Sequence, residues 1–152
     1  MHGTYGNLVI HQLKDVRRTI SMAFTPLSIA AQLGHVQEVL TLIEAGADIN
    51  ACNHIGWTPL SMAAGNGHDG VVKTLIAANV DIDKTDDIGW TPLLTATEYG
   101  HETTVQILIE AGADINKPSY SGWTPLSLAT MKGRETILQM LLEAGADTDL
   151  RI

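Results

Sequence analysis

The tripeptide Thr-Pro-Leu begins at Thr25, Thr58, Thr91 and Thr124, recurring each time after 33 residues. On that period five further columns are invariant: Ala30/Ala63/Ala96/Ala129, Gly34/Gly67/Gly100/Gly133, Leu42/Leu75/Leu108/Leu141, Ala45/Ala78/Ala111/Ala144 and Asp48/Asp81/Asp114/Asp147. A fixed period of this length marks an array of supersecondary units, none of which can bury its apolar face alone. The chain is therefore read as four units, residues 25–57, 58–90, 91–123 and 124–152, stacked into one continuous domain and preceded by a segment of different character, residues 1–24.

Each unit reads as two short helices and a loop. Thr before Pro supplies an N-cap oxygen, and Pro in the first helical turn forfeits no needed hydrogen bond. Leu27, Ala30 and Ala31 then fall at i, i+3 and i+4, a narrow apolar stripe whose small residues let neighbouring helices approach closely. Gly34 ends that helix where a left-handed residue is commonly required. Val39, Leu42 and Ile43 form the second stripe, Gly46 closes the second helix, and a turn-rich extended loop follows.

The stretch Gly56–Asp83, GWTPLSMAAGNGHDGVVKTLIAANVDID, resembles the ankyrin repeat, with its Thr-Pro-Leu-His, Ala-Ala, Gly-His and Gly-Ala-Asp-Val-Asn motifs. The resemblance covers residues 25–152. It implies an all-α solenoid of stacked helix–turn–helix units with β-hairpin fingers projecting roughly perpendicular to the helices. It also implies that finger tips and inner helices form a concave surface that grips protein partners.

Departures from the family pattern carry their own expectations. The His that follows Thr-Pro-Leu in the family is Ser28, Ser61, Leu94 and Ser127 here; serine keeps part of its bonding and leucine none, which softens the array modestly. Asn79 stands where Gly46, Gly112 and Gly145 stand, and asparagine is the best non-glycine residue at a left-handed position. Thr97 and Thr130 replace the second alanine, and Arg134 replaces the helix-opening His35, His68 and His101. In residues 7–20 an apolar stripe of Val9, Leu13, Val16 and Ile20 reads either as a degenerate half-repeat capping the array or as an independent helix laid across the first unit. The fourth unit reads as the C-terminal cap, or as the point where a longer chain was cut.

Catalysis and cofactors are not expected. A nucleophile and its base must be uniquely placed within hydrogen-bond reach, whereas Ser, His and Asp recur here every 33 residues as scaffold. Equivalent histidines on stacked helices lie about 8–10 Å apart, too far to share a metal whose ligands sit roughly 2 Å from it. No glycine-rich phosphate loop is present. One cysteine, Cys52, excludes an internal disulfide framework and reads as an incidental thiol. Net charge is −8, and since residues 1–24 hold Lys14, Arg17 and Arg18 against Asp15, the rest carries −10. That balance argues against nucleic-acid or membrane-surface binding. With no membrane-length apolar run and no basic leader, a monomer in the cytoplasm is expected. Asn50 and Asn116 sit in a context that, in this family, asparaginyl hydroxylases modify; bracing of the loop is the plainer role.

Positions that differ from unit to unit should encode specificity. On the fingers these include His54, Ile55, Asp86, Asp87, Ile88 and Tyr120; at the ends of the first helices they include Leu33, Asn66, Glu98, Tyr99, Met131 and Lys132. The resemblance places both sets on the concave side. Trp57, Trp90 and Trp123, with Phe24 before them, form an aromatic row at the finger bases, either bracing adjacent fingers or touching a partner. Aromatics are frequent interface anchors, and the acidic second finger suits a partner with a basic segment. The expected function is a non-catalytic protein-interaction module; the competing reading is an engineered array or fragment with no dedicated partner.

Overall fold

The computed structural model describes residues 25–149. Each unit opens on its threonine in extended backbone, with Oγ1 accepting the amide three residues on at 3.1 Å in all four copies. Proline occupies the first turn, and the helices that follow are α1 (Pro26–Leu33), α3 (Pro59–Gly65), α5 (Pro92–Tyr99) and α7 (Pro125–Lys132). Ser28 and Ser127 return a bond to the capping threonine's amide, at 2.9 Å each, completing a capping box. Leu94 returns none and is instead fully buried. The second helices are α2 (Val36–Glu44), α4 (Asp69–Ala77), α6 (Glu102–Glu110) and α8 (Glu135–Glu143). Each is closed by a residue in the left-handed region: Gly46, Asn79, Gly112 and Gly145, with Asn79 at φ 64° the single non-glycine there among the described residues.

Leu27, Leu60, Leu93 and Leu126 from the first helices meet Val39, Val72 and Val105 and Leu75, Leu108 and Leu141 from the second, forming one core that runs through the stack. Each such side chain, fully buried, contributes about 1.5–3 kcal/mol. Thr97 sits in the alanine column at no exposure because its hydroxyl donates to the Leu93 carbonyl at 2.8 Å. The first helices approach one another more closely than the second helices do, a consequence of the alanine stripe on α1, α3, α5 and α7.

Two ladders of polar bonds cross every described junction. His68 Nε2 lies 2.9 Å from the Gln32 carbonyl, His101 Nε2 lies 2.9 Å from the Gly65 carbonyl, and Arg134 Nη2 donates to the Glu98 carbonyl at 2.8 Å. The arginine thus makes the bond of the histidines it replaces. On the loop side, Asn50, Asp83 and Asn116 accept the amides of Asp81, Asp114 and Asp147 at 2.9, 3.0 and 2.8 Å. That is the bracing expected of the two asparagines, with an aspartate serving the middle junction.

The projecting loops contain no β-strand among the described residues. Asn53, Asp86 and Ser119 donate their amides to the carbonyls of Trp57, Trp90 and Trp123 at 3.0, 3.0 and 2.8 Å. The return bond of a ladder is missing because each tryptophan amide is taken by the side chain of residue 53, 86 or 119. Successive loops are joined by single bonds, Asp87 to the Ile55 carbonyl and Tyr120 to the Ile88 carbonyl, each 3.1 Å. They are closed turns stitched edge to edge.

Residues 1–24, with the stripe read as an N-terminal cap and Phe24, lie outside the described residues, as do residues 150–152. Among the described residues, Ile29 of the first unit is 44% exposed where its counterparts Met62 and Leu128 are 3% and 1% exposed. A groove of about 570 Å³ there is lined by Pro26, Ile29, Gln37, Glu38, Thr41 and Leu42. Among the described residues no helix is long and apolar enough to cross a membrane.

Candidate interaction surface

The turn geometry decides which variable residues face outward. In each loop the first variable residue presents an oxygen to the loop's own amides. Asn53 Oδ1 accepts from Ile55 and Trp57 at 3.0 and 2.9 Å, Asp86 Oδ1 accepts from Ile88 and Trp90 at 3.0 and 2.9 Å, and Ser119 Oγ accepts from Trp123 at 3.1 Å. Asp86 is consequently buried, at 8% exposure. Its expected projection from the finger is corrected: it holds the turn, and the exposed carboxylate among residues 86–90 is Asp87. The next two positions do project. His54, Ile55, Asp87, Ile88 and Tyr120 are all exposed, and Tyr120 lies over Gly89, whose missing side chain leaves room for its ring.

At the ends of the first helices, Leu33, Tyr99 and Met131 expose more than half their surface. Asn66 is exposed but donates to the Met62 carbonyl at 2.7 Å, finishing its own helix. Glu98 and Lys132, both expected to face a partner, pair with each other across the third junction at 3.0 Å. A partly exposed ion pair of this kind contributes about 0–1 kcal/mol. Trp57, Trp90 and Trp123 are half-buried, so each both leans on the scaffold and leaves ring surface accessible.

Around the junction of the second and third units these residues converge, joined by Trp57 from the end of the first. Trp57, Ile88, Trp90 and Tyr99, with Asp86, Glu98 and Thr95, line a cleft of about 240 Å³. Finger loops and the C-terminal end of α5 thus share one concavity. Sequence reasoning did not select Thr95, whose column (Ile29, Met62, Leu128) is otherwise apolar; Gly65, one of the variable positions at the ends of the first helices, borders the cleft. The signal for Gly65 was a glycine in a column that elsewhere holds Gln32, Glu98 and Met131.

Elsewhere the polar groups are committed to structure. His68 and His101 serve the inter-unit bonds, His35 lies 3.5 Å from Glu38, and Thr104 donates to Asp69 at 2.6 Å. Among the described residues no group of three or more His, Cys, Asp or Glu side chains is placed to hold a metal ion, and Cys52 is an exposed free thiol.

Comparison with protein families finds a model described as ankyrin repeats (3 copies) matching residues 3–86 and 70–152. No curated protein matches the chain.

Proposed function

The chain belongs to the ankyrin-repeat family, whose members are generally protein–protein interaction modules, and from that premise we propose that it binds a protein partner through the finger loops and the ends of the first helices, without catalysis. The observation that carries this reading is the distribution of exposed large apolar side chains. Of nine among the described residues, six (Leu33, Ile55, Ile88, Tyr99, Tyr120 and Met131) belong to those two sets. A protein surface seldom gathers its apolar residues on one side unless something covers them. The turns at residues 53–57, 86–90 and 119–123 act as the family's hairpin-like fingers, and with the ends of the first helices they form the side that corresponds to the family's concave surface. The module works as a cytoplasmic monomer, and its acidity selects a partner that offers a basic segment.

Affinity capture from the native source with identification by mass spectrometry supplies the partner. Tyr99→Ala and Tyr120→Ala then each weaken binding by about 2 kcal/mol, roughly thirtyfold, with the fold intact because neither ring belongs to the core. Gln106→Ala, on α6 away from this surface, leaves affinity unchanged. Loss of binding in Gln106→Ala with both tyrosine variants binding normally refutes the assignment.

A further inference from the structure

We propose that the cleft between the second and third units receives an arginine side chain of the bound protein, an inference that rests on the protein-binding reading above. The cleft exists at that junction because residue 65 is glycine. A Cβ built there would meet Thr95 Cγ2 at 3.0 Å and the Trp57 ring at 3.7 and 3.9 Å, and the longer residues at this position in the other units would fill the space.

Its walls have a specific chemistry. Trp57, Trp90 and Tyr99 supply three aromatic rings and Ile88 an aliphatic side, while Asp86 and Glu98 bring two carboxylates and no lysine or arginine lines the space. Asp86 is fixed by the two amides that bond Oδ1, so its charge is held in one place. Glu98 is paired with Lys132 at 3.0 Å, a partly exposed pair weak enough for a second cation to share. An apolar occupant would strip water from the Glu98 carboxylate and leave the buried Asp86 charge uncompensated, which is costly. An acidic occupant would meet like charge. A cation satisfies the acids and is attracted to the ring faces. Guanidinium is the better fit of the two basic side chains: it is planar, stacks on aromatic rings, is more weakly hydrated than ammonium, and still donates in its plane to carboxylates. The same loop carries Asp81, Asp83 and Asp87 against Lys84, so its net charge also favours a cation.

The test uses the whole chain and a random dodecapeptide library displayed on phage. Peptides selected on the protein are resynthesised with each arginine replaced in turn by citrulline, its uncharged isostere, or by lysine, and titrated by tryptophan fluorescence. The expected result is that one arginine recurs and that citrulline there weakens binding about tenfold. Lysine falls between, and the citrulline penalty shrinks in Glu98→Gln while Gln106→Ala keeps it. Peptides that bind this surface, as judged by loss in Tyr120→Ala, yet tolerate citrulline or prefer lysine overturn the arginine site and leave the protein-binding reading standing. A citrulline penalty undiminished in Glu98→Gln places the arginine elsewhere and likewise overturns the site alone. Recovery of no peptides, or only of peptides indifferent to both Tyr99→Ala and Tyr120→Ala, overturns both.

Discussion

Gly67 and Gly133 hold nearly the same backbone, at φ 69° and 68°, but in different surroundings. A Cβ on Gly67 would lie 2.7 Å from His101 Nδ1 and 3.0 Å from two ring carbons, whereas a Cβ on Gly133 would meet nothing within 4 Å. Alanine at either position bears the left-handed penalty, about 1–2 kcal/mol. At Gly67 the imidazole must also swing away, and its 2.9 Å bond to the Gly65 carbonyl goes with it, a further loss of about 1 kcal/mol. Gly67→Ala is therefore expected to destabilise by about 2–3 kcal/mol and Gly133→Ala by about 1–2 kcal/mol. Urea unfolding followed by circular dichroism reads both. In a His101→Ala background the bond is already gone and the ring absent, so the cost of Gly67→Ala should fall to that of Gly133→Ala. The coupling in this cycle is then about 1 kcal/mol. Equal costs for the two alanines in the natural background, or no coupling to His101, would refute the claim that the histidine ladder is tightly seated.

Gly112→Val, at φ 91° with open space around the missing side chain, should cost about 1–2 kcal/mol or more from backbone strain alone, while Asn79→Gly should be neutral or slightly stabilising; an unchanged Tm for Gly112→Val in calorimetry contradicts this. Asp86→Ala should lose about 1–3 kcal/mol by orphaning the Ile88 and Trp90 amides, and Asp86→Asn should be nearly silent because Asn53 does the same work one unit earlier. Asp87→Asn should leave stability within about 0.5 kcal/mol and slow association with the partner at low salt, measured by surface plasmon resonance; a large loss of stability would mean its carboxylate is not free. Deleting residues 1–22 should lower stability and promote self-association, read by light scattering, because the groove at Pro26, Ile29 and Leu42 then has no apolar stripe from Val9, Leu13, Val16 and Ile20 to meet; a monomeric, equally stable truncation ends the capping idea.

Much of the scaffold was legible from spacing alone. Thr-Pro at each unit start, the paired apolar stripes and the left-handed closures follow from local rules, and Asn79 obeyed the same rule as the glycines around it. Donors and acceptors that span units were less legible, since a repeat period shows that residues share a role without showing which atom they reach. Arg134 looked like a departure from histidine, yet both send an N–H to the same backbone carbonyl. The variable position at Asn53, Asp86 and Ser119 was misleading for a related reason: the three side chains differ in charge and size but each offers an oxygen at one place in the turn. Variation in identity there conceals constancy in chemistry, and the outward surface begins one residue later. The finger turns also lack the strand pairing that the family resemblance implied, because those side chains intercept the amides a hairpin ladder would use.

The junction ladders have a genetic consequence. His68, His101 and Arg134 each reach back 36 residues, and each aims at a main-chain oxygen that every unit possesses whatever its side chains. The loop bonds from Asn50, Asp83 and Asn116 reach forward 31 residues to an amide that is equally generic. An unequal crossover that duplicates or removes 33 codons therefore joins a donor to an acceptor at the new seam as readily as at the old one. Recombination can lengthen or shorten such a gene without first inventing a matching pair of mutations. The cleft residues, which depend on Gly65 facing Thr95 across one seam, enjoy no such protection, so copy-number change would preserve the architecture while rewriting what it recognises.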